Sequence, residues 1–285
     1  MRNDAAALLP PTHVIREIVQ RALAEDIGHG DLTTEATIPA DAVAEGTIIA
    51  RAAGVIAGLP VAAAVFAELD GDVRFEPLVT DGASLEPGET VARISGPARP
   101  ILSGERVALN FLQQLSGVAS VAALLVTQLE GTRAKLLDTR KTVPGLRALQ
   151  RYAVRVGGGT NHRFNLFDGV LIKENHIAAA GGIEPALARA LAAVGPFTPV
   201  EIEVETLDQL RRAIDAGAHM VLLDNMTPEQ MRQAVEIAGG RVLLEASGDI
   251  TLETARAVAE TGVDFLSSGA LTHSAKALNL SLRLS

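Results

Sequence analysis

From residue 134 onward the chain repeats one pattern: a short apolar run ends on a polar residue, and a stretch with helical spacing follows. The runs are AKLLD (134–138), GVLIK (169–173), PVEIEVE (199–205), HMVLLD (219–224), RVLLEAS (241–247) and VDFLSS (263–268). IEPALARALAAV, TLDQLRRAIDAG, TPEQMRQAVEIAG and TLETARAVAETG fill the gaps with the spacing of amphipathic helices. Thr206, Thr227 and Thr251 sit where N-caps belong, and Gly217, Gly239 and Gly262 where C-caps belong. Strands alternating with helices at this spacing predict parallel βα units. Near-continuous apolar strands fit burial on both faces. Six strands over residues 134–268 fall short of the roughly 250 residues of an eight-fold barrel. The pattern therefore predicts an α/β fold built on a smaller or incomplete barrel, or on an open doubly wound sheet.

The first hundred residues carry a different pattern. A stripe of His13, Val14, Ile15, Ile18, Val19, Ala22 and Leu23 predicts a helix over 12–25, and DIGHGDLTT after it reads as a loop. Short strands are predicted at 46–51, 73–79 and 89–94, punctuated by DGASLEPGE and ISGP, giving an α+β segment with its own sheet. The DG-then-PGE turns are similar to those of biotinyl and lipoyl carriers. Those carriers need a lysine at a hairpin, and none occurs before Lys135, so that reading is rejected. Ser103 is placed to cap a long helix, GERVALNFLQQLSGVASVAALLVTQL, with Arg106 in its first turn. There a cation opposes the helix dipole. Arg106 is either a tolerated surface arginine or one aimed, with amide N–H groups, at an anion.

In either parallel architecture the strand C-termini converge on one site. Here they bring Asp138, Arg140, Lys141, Lys173, Glu203, Asp224, Ser247 and Ser268 together. Any one of these could simply mark a strand end. Six ends in a row mixing cations with carboxylates point to chemistry.

Charge sharpens this picture. The chain has 285 residues and a formal charge of -9, yet residues 133–176 hold nine lysines and arginines against three acids, a local +6 that leaves -15 elsewhere. Self-repulsion in such an island is relieved by a bound polyanion. The acidic balance argues against non-specific nucleic-acid binding. The absence of cysteine excludes disulfides and thiolate chemistry. No apolar run is read as long enough to cross a bilayer, and MRNDAAALLPPTH lacks the apolar stretch of a secretion signal, so the expectation is a cytoplasmic protein without membrane association.

Within the island, GGGT (157–160) is a weak candidate for a phosphate cradle, because glycine runs are usually turns. Arg147, Arg151 and Arg155 lie four apart on one helix face and read as a solvated or subunit-facing stripe. Lys173 has three readings: a Schiff-base nucleophile, a fixed charge for an anionic substrate, or a structural ion pair. Glu203 and Asp224 suit a divalent cation, sugar hydroxyls or proton transfer. No His/Cys/Asp cluster has structural-zinc spacing, whereas Mg²⁺ held mainly by substrate phosphates is compatible. EASGDIT (245–251) and SSGALTHS (267–274) are Ser-Gly turns entering helices in the last two βα units, where barrels often bind phosphate.

DTRKTVPGLRALQRYAVRVGGGTNHRFNLFDGVLIKENH resembles the central block of the quinolinate phosphoribosyltransferase family. The similarity runs in order through EDIGHGDLTT, GERVALNFLQQLSG, VEIEVETLDQ, VLLDN, LEASGDIT and GVDFLSSGALTHS. It implies an N-terminal α/β sandwich (1–114), an incomplete, six-stranded α/β barrel (115–271), and a C-terminus (272–285) returning to the first domain. It implies transfer from phosphoribosyl pyrophosphate to quinolinate with loss of CO2, aided by substrate-bound Mg²⁺, and a head-to-tail homodimer in which Arg106 reaches the partner's site. Carried over residue by residue, Arg140, Thr142, His162 and Arg163 match the quinolinate site. Lys141 and Lys173 match lysines near the carboxylates and the pyrophosphate. Glu203 and Asp224 match carboxylates on the ribose hydroxyls, and Ser247-Gly248 and Ser268-Gly269 match the 5′-phosphate loops. The rivals are a paralogue of the same fold acting on another pyridine acid, a Schiff-base aldolase using Lys173, and a non-enzymatic anion-binding protein.

Overall fold

A computed structural model describes residues 9–285, so part of the segment read for a secretion signal, residues 1–8, lies outside the described residues. The first stretch of chain forms α1 (Thr12–Ile27), α2 (Leu32–Thr37), β1 (Val43–Ala50), β2 (Gly54–Val55), α3 (Leu59–Leu69), β3 (Arg74–Pro77), β4 (Ser84–Leu85), β5 (Thr90–Pro97) and α4 (Ala98–Gln128). The second forms β6 (Lys135–Leu137), α5 (Arg147–Val156), β7 (Val170–Ile172), α6 (Glu174–Ala180), α7 (Ile183–Ala193), β8 (Val200–Val204), α8 (Leu207–Asp215), β9 (Met220–Asp224), α9 (Pro228–Ala238), β10 (Leu243–Ser247), α10 (Ala255–Ala259), β11 (Phe265–Ser267), α11 (Ala270–His273) and β12 (Leu280–Leu284). All six apolar runs of the repeating pattern are strands.

Two compact units result, and each comprises more than one chain segment. Of the described residues, the first takes 9–123, 142–158 and 271–285; the second takes 124–141 and 159–270. The division at 123/124 falls nine residues beyond the expected 114/115, inside α4, and the Thr142–Gly158 excursion belongs to the first unit rather than to the barrel.

In the first unit a four-stranded antiparallel sheet has the order β12-β1-β5-β3, with β12 on the outer edge of β1 from Ala50↔Leu280 to Gly46↔Leu284. α1 packs on α3, and α3 on β3. The helix α2 occupies part of the expected loop, because Asp31 caps it by accepting from the Thr34 N–H at 3.0 Å. Ser103 does not cap α4. That helix leaves β5 directly at Ala98, and Pro100 sits in its first turn, where a missing N–H costs nothing. Ser103 instead donates to Asp31 at 2.9 Å. Arg106 is thus the ninth residue of α4 and does not face the helix N-terminus. By length and composition α4 could cross a bilayer, contrary to the apolar-run reading, but Ile101, Leu112, Leu115, Val118, Ala119 and Ala122 are buried in the core of its unit.

Asp81 anchors two helices. It accepts from the Gly58 and Leu59 N–H groups at the start of α3, at 2.8 and 3.1 Å, and from the Tyr152 hydroxyl of α5. Burial raises its pKa, and these three hydrogen bonds oppose the rise. Gln150 of α5 donates to the Thr272 carbonyl at 2.8 Å. Arg151 is only 8% exposed, which takes it out of the solvated or subunit-facing stripe, while Arg147 and Arg155 are half-buried. Gly157 ends that helix against α4: a Cβ there would lie 2.4 Å from the Ala119 carbonyl oxygen. This glycine is required by close packing of two backbones, not by a phosphate.

The second unit holds six parallel strands in the order β6-β11-β10-β9-β8-β7. The strands wind in sequence from β7 to β11 and then meet β6, leaving the barrel open between β6 and β7. Thr160 lies along the free edge of β6 there: its N–H donates to Leu136 at 2.7 Å and its carbonyl accepts from Asp138 at 3.2 Å. Thr206 and Thr227 cap α8 and α9, with capping boxes completed by Gln209 and Gln230. Thr251 does not cap α10. The helix starts four residues later with Thr254 at the cap, because Thr251 and Thr254 are tied to each other within the preceding turn.

Candidate active site

At the C-terminal mouth of the parallel strands, Lys173 follows β7 and its ammonium lies 2.5 Å from Glu203 of β8. Lys173 also starts α6, its N–H donating to Nδ1 of His176 at 3.0 Å. The Lys173 side chain is 49% exposed, so it lacks the apolar pocket that activates a Schiff-base lysine. Asp224 ends β9. Burial raises its pKa, Glu203 adds to the rise, and Lys173 opposes it, so the three groups act as one electrostatic cluster.

Parallel register sets Ser247 of β10 beside Asp224. Just past that pair, Asn225 adopts φ 53° and donates its backbone N–H to the Ser247 carbonyl at 3.0 Å. Gly248 passes so close that a Cβ would lie 2.1 Å from Asn225 Oδ1, and its φ of +101° excludes other residues. Two left-handed residues on adjoining loops are a local strain of the kind held at ligand sites. Ser268 behaves differently from its expected phosphate role. It is buried, its N–H goes to Leu137 at 3.2 Å and its hydroxyl to Ile250 at 3.1 Å, so it closes the sheet and ties the β10 loop. Gly269 follows at the start of α11, a helix of only four residues, and α10 begins seven residues past Gly248. Helix dipoles therefore contribute little here; a phosphate would meet turn amides.

Arg140 and Lys141 are exposed in the loop after β6. Asp138, fully buried at the end of β6, accepts from the Asn161 side chain at 2.5 Å and from the His162 N–H at 2.8 Å. Arg163 donates through Nη1 to the Gly169 carbonyl at 2.7 Å, while its Nε is buried without a partner among the described residues. Burial lowers the Arg163 pKa, and so does Arg140. Arg163 also lines a cavity of about 330 Å³ that includes neither Glu203 nor Asp224.

His162 departs from the expectation of a side chain at the mouth. Its Nε2 lies 3.0 Å from Glu201 of β8 and 3.4 Å from Glu245 of β10, which are 4% and 1% exposed. Burial opposes charge on the ring and the two glutamates favour it, while Nδ1, which accepts the Arg163 N–H at 2.7 Å, carries no proton. Burial, with Glu245 alongside, raises the pKa of Glu201. Neither glutamate was read from sequence. The available signal was position: Glu201 precedes Glu203 by two residues and Glu245 precedes Ser247 by two, each on the same strand face one layer deeper.

Arg106 and Thr142 belong to the other unit. Arg106 is exposed on α4, and Thr142 accepts from the Arg147 Nε at 3.0 Å.

The sequence matches the quinolinate phosphoribosyl transferase N-terminal domain family over residues 31–116 and the C-terminal domain family over 118–283. It is 46% identical over 275 residues to the nicotinate-nucleotide pyrophosphorylase [carboxylating] of Mycobacterium leprae, covering 94% of this chain and 96% of that one. It is 44% identical over 268 residues to the probable nicotinate-nucleotide pyrophosphorylase [carboxylating] of Bacillus subtilis, covering 94% and 92%. The fold matches the crystal structure of NadC from Streptococcus pyogenes with a TM-score of 0.93 at 43% identity, over 97% of this chain and 98% of that one.

Proposed function

The chain belongs to the quinolinate phosphoribosyltransferase family, and from that premise we propose that it transfers the phosphoribosyl group of 5-phosphoribosyl 1-pyrophosphate to quinolinate, releasing pyrophosphate and CO2 and giving nicotinate mononucleotide for NAD synthesis. The observation that carries the reading is the mouth itself: cations after β6 and β7, carboxylates on β8 and β9, and a Ser-Gly turn after β10, all around one rim.

Two polyanions must meet there, which is prohibitive without cations. The guanidinium forks of Arg140 and Arg163 suit the carboxylates of quinolinate, and the partnerless Nε of Arg163 is a donor waiting for an acceptor. Lys141 and Lys173 supply compact charge for the leaving pyrophosphate. Glu203 and Asp224 hold the ribose hydroxyls and face the positive charge that grows on the sugar as the pyridine nitrogen attacks C1. Once that nitrogen is alkylated, the ring accepts the electron pair left by the departing carboxylate. A proton then takes the place of CO2. Ser247 and Gly248 receive the 5′-phosphate with Gly269, while Ser268 supports their loop.

The residues suit an ion carried in by the substrate. Among the described residues, the one cluster with metal-ligand spacing is His162, Glu201 and Glu245, in the interior and already hydrogen-bonded. When bound, Mg²⁺ neutralises charge on the pyrophosphate. Arg106 is proposed to complete the site of a second copy in a homodimer. Mixing Arg106→Ala with Lys173→Ala subunits should then restore about a quarter of wild-type activity, and no recovery argues against a shared site.

Incubation with quinolinate, phosphoribosyl pyrophosphate and Mg²⁺ should yield nicotinate mononucleotide and CO2 in equal amounts, and nicotinate should not replace quinolinate. Turnover of nicotinate would favour the paralogue, and a borohydride-trapped adduct on Lys173 would favour the aldolase.

A further inference from the structure

We propose that Glu201 and Glu245 are positioning residues for quinolinate: from the barrel interior they fix the tautomer of His162, and through it the backbone from which Arg163 reaches the substrate. The inference rests on the phosphoribosyl-transfer reading above.

Three ionisable side chains in an apolar interior need a reason. A buried ionic cluster is often replaced by well-packed apolar residues at no loss of stability. Here the same-face neighbours across the sheet would accept such residues: Leu171 and Met220 lie beside Glu201, and Leu222 and Phe265 beside Glu245. The hydrogen bonds supply the reason. The Arg163 N–H donates to Nδ1 of His162 at 2.7 Å, so Nδ1 is an acceptor and the ring proton sits on Nε2. Nε2 then donates to Glu201 at 3.0 Å, and an ionised carboxylate oxygen is an acceptor only. Glu245 lies 3.4 Å from the same nitrogen and interacts with Glu201. The chain of contacts runs from β10 and β8 through the imidazole to the backbone amide of Arg163.

The rest of the tripeptide is pinned as firmly. Asp138 faces His162 from the end of β6 and holds its N–H and the Asn161 side chain. Gly169 holds Arg163 Nη1. The Arg163 guanidinium also feels Arg140, Glu201 and Asp168. Arg163 Nε, Glu201 Oε1 and Glu245 Oε2 are buried without hydrogen-bond partners among the described residues, and of these three Nε is the donor, suited to a ligand oxygen.

The test compares wild type with Glu201→Gln and Glu245→Gln. Glutamine keeps the shape, removes the charge and offers an N–H₂ group where Nε2–H needs an acceptor. The expected result is a quinolinate KM raised about tenfold or more in both variants, with the KM of phosphoribosyl pyrophosphate within about twofold and the melting transition still cooperative. Nitrogen-15 NMR of the labelled histidines, with His162 identified by the signal lost in His162→Asn, should show the Nε2–H tautomer in wild type from about pH 6 to 8 and its loss in the variants. If the variants do not fold, wild type alone decides: a fixed Nε2–H signature that shifts on adding quinolinate supports the inference, and a tautomer-averaged signal overturns it. An unmoved quinolinate KM in folded variants overturns it. So does one metal ion per chain in the purified protein that both variants lose. Failure of the functional reading shows separately: wild-type protein then releases no CO2 from quinolinate, whereas failure of the positioning inference leaves wild-type turnover intact.

Discussion

Strand β8 carries two glutamates that live in different worlds. Glu203 sits at the mouth against a half-exposed lysine, while Glu201, two residues earlier on the same face, is 4% exposed and bound to a histidine and a second buried glutamate. At the mouth the Glu203 side chain is 12% exposed, but its charge is met by a lysine that is half in solvent, so losing Glu203 strands no buried partner. In the interior a charge persists only through its partners, so removing one leaves the others stranded. The difference teaches that the same residue type on one strand can serve chemistry or architecture, and that the interior set joins stability to recognition through His162.

The largest expected effect tests where the two regions meet. Arg163→Ala should lower kcat/KM for quinolinate by roughly a thousandfold, the scale of losing one half of a desolvated charge pair. Calorimetry should show phosphoribosyl pyrophosphate still binding; undiminished quinolinate affinity would break the assignment. Next, Glu201→Ala should cost about 3–5 kcal/mol in urea unfolding. Glu203→Ala should cost less than that, because its partner Lys173 is half exposed, yet lower kcat by roughly a hundredfold. Equal stability losses would erase the contrast.

The smallest effect is in pH dependence. Glu201 holds its proton more tightly folded than unfolded. Its contribution is therefore fully present below the ordinary value of 4.5, and is lost as pH rises toward the raised one, about 7. Melting temperature should fall as pH climbs through that window, and Glu245→Gln should flatten the slope. A flat wild-type profile would remove the interior cluster from the stability account.

The six barrel strands were legible because each is a near-continuous apolar run with a polar end. The placement of Lys173, Glu203, Asp224 and Ser247 at strand ends was legible for the same reason. Ser103 misled because a serine ahead of a helical run has the form of an N-cap, whereas α4 has already begun at Ala98, with Pro100 in its first turn. Arg151 misled because charged spacing shows which residues share a helix face, not what covers that face. Ser268 looked like a ligand donor, but whether a hydroxyl is already engaged is decided by tertiary neighbours, here Ile250. The inward turn of His162 was illegible because its partners lie 39 and 83 residues away on two other strands.

The division between mouth and interior is tested most directly by calorimetric titration of quinolinate into wild type, Glu203→Gln and Glu245→Gln, each also assayed for turnover. Glu203→Gln should bind quinolinate like wild type and turn over poorly, while Glu245→Gln should lose quinolinate affinity by about tenfold or more. Wild-type affinity in Glu245→Gln together with lost affinity in Glu203→Gln would contradict the account.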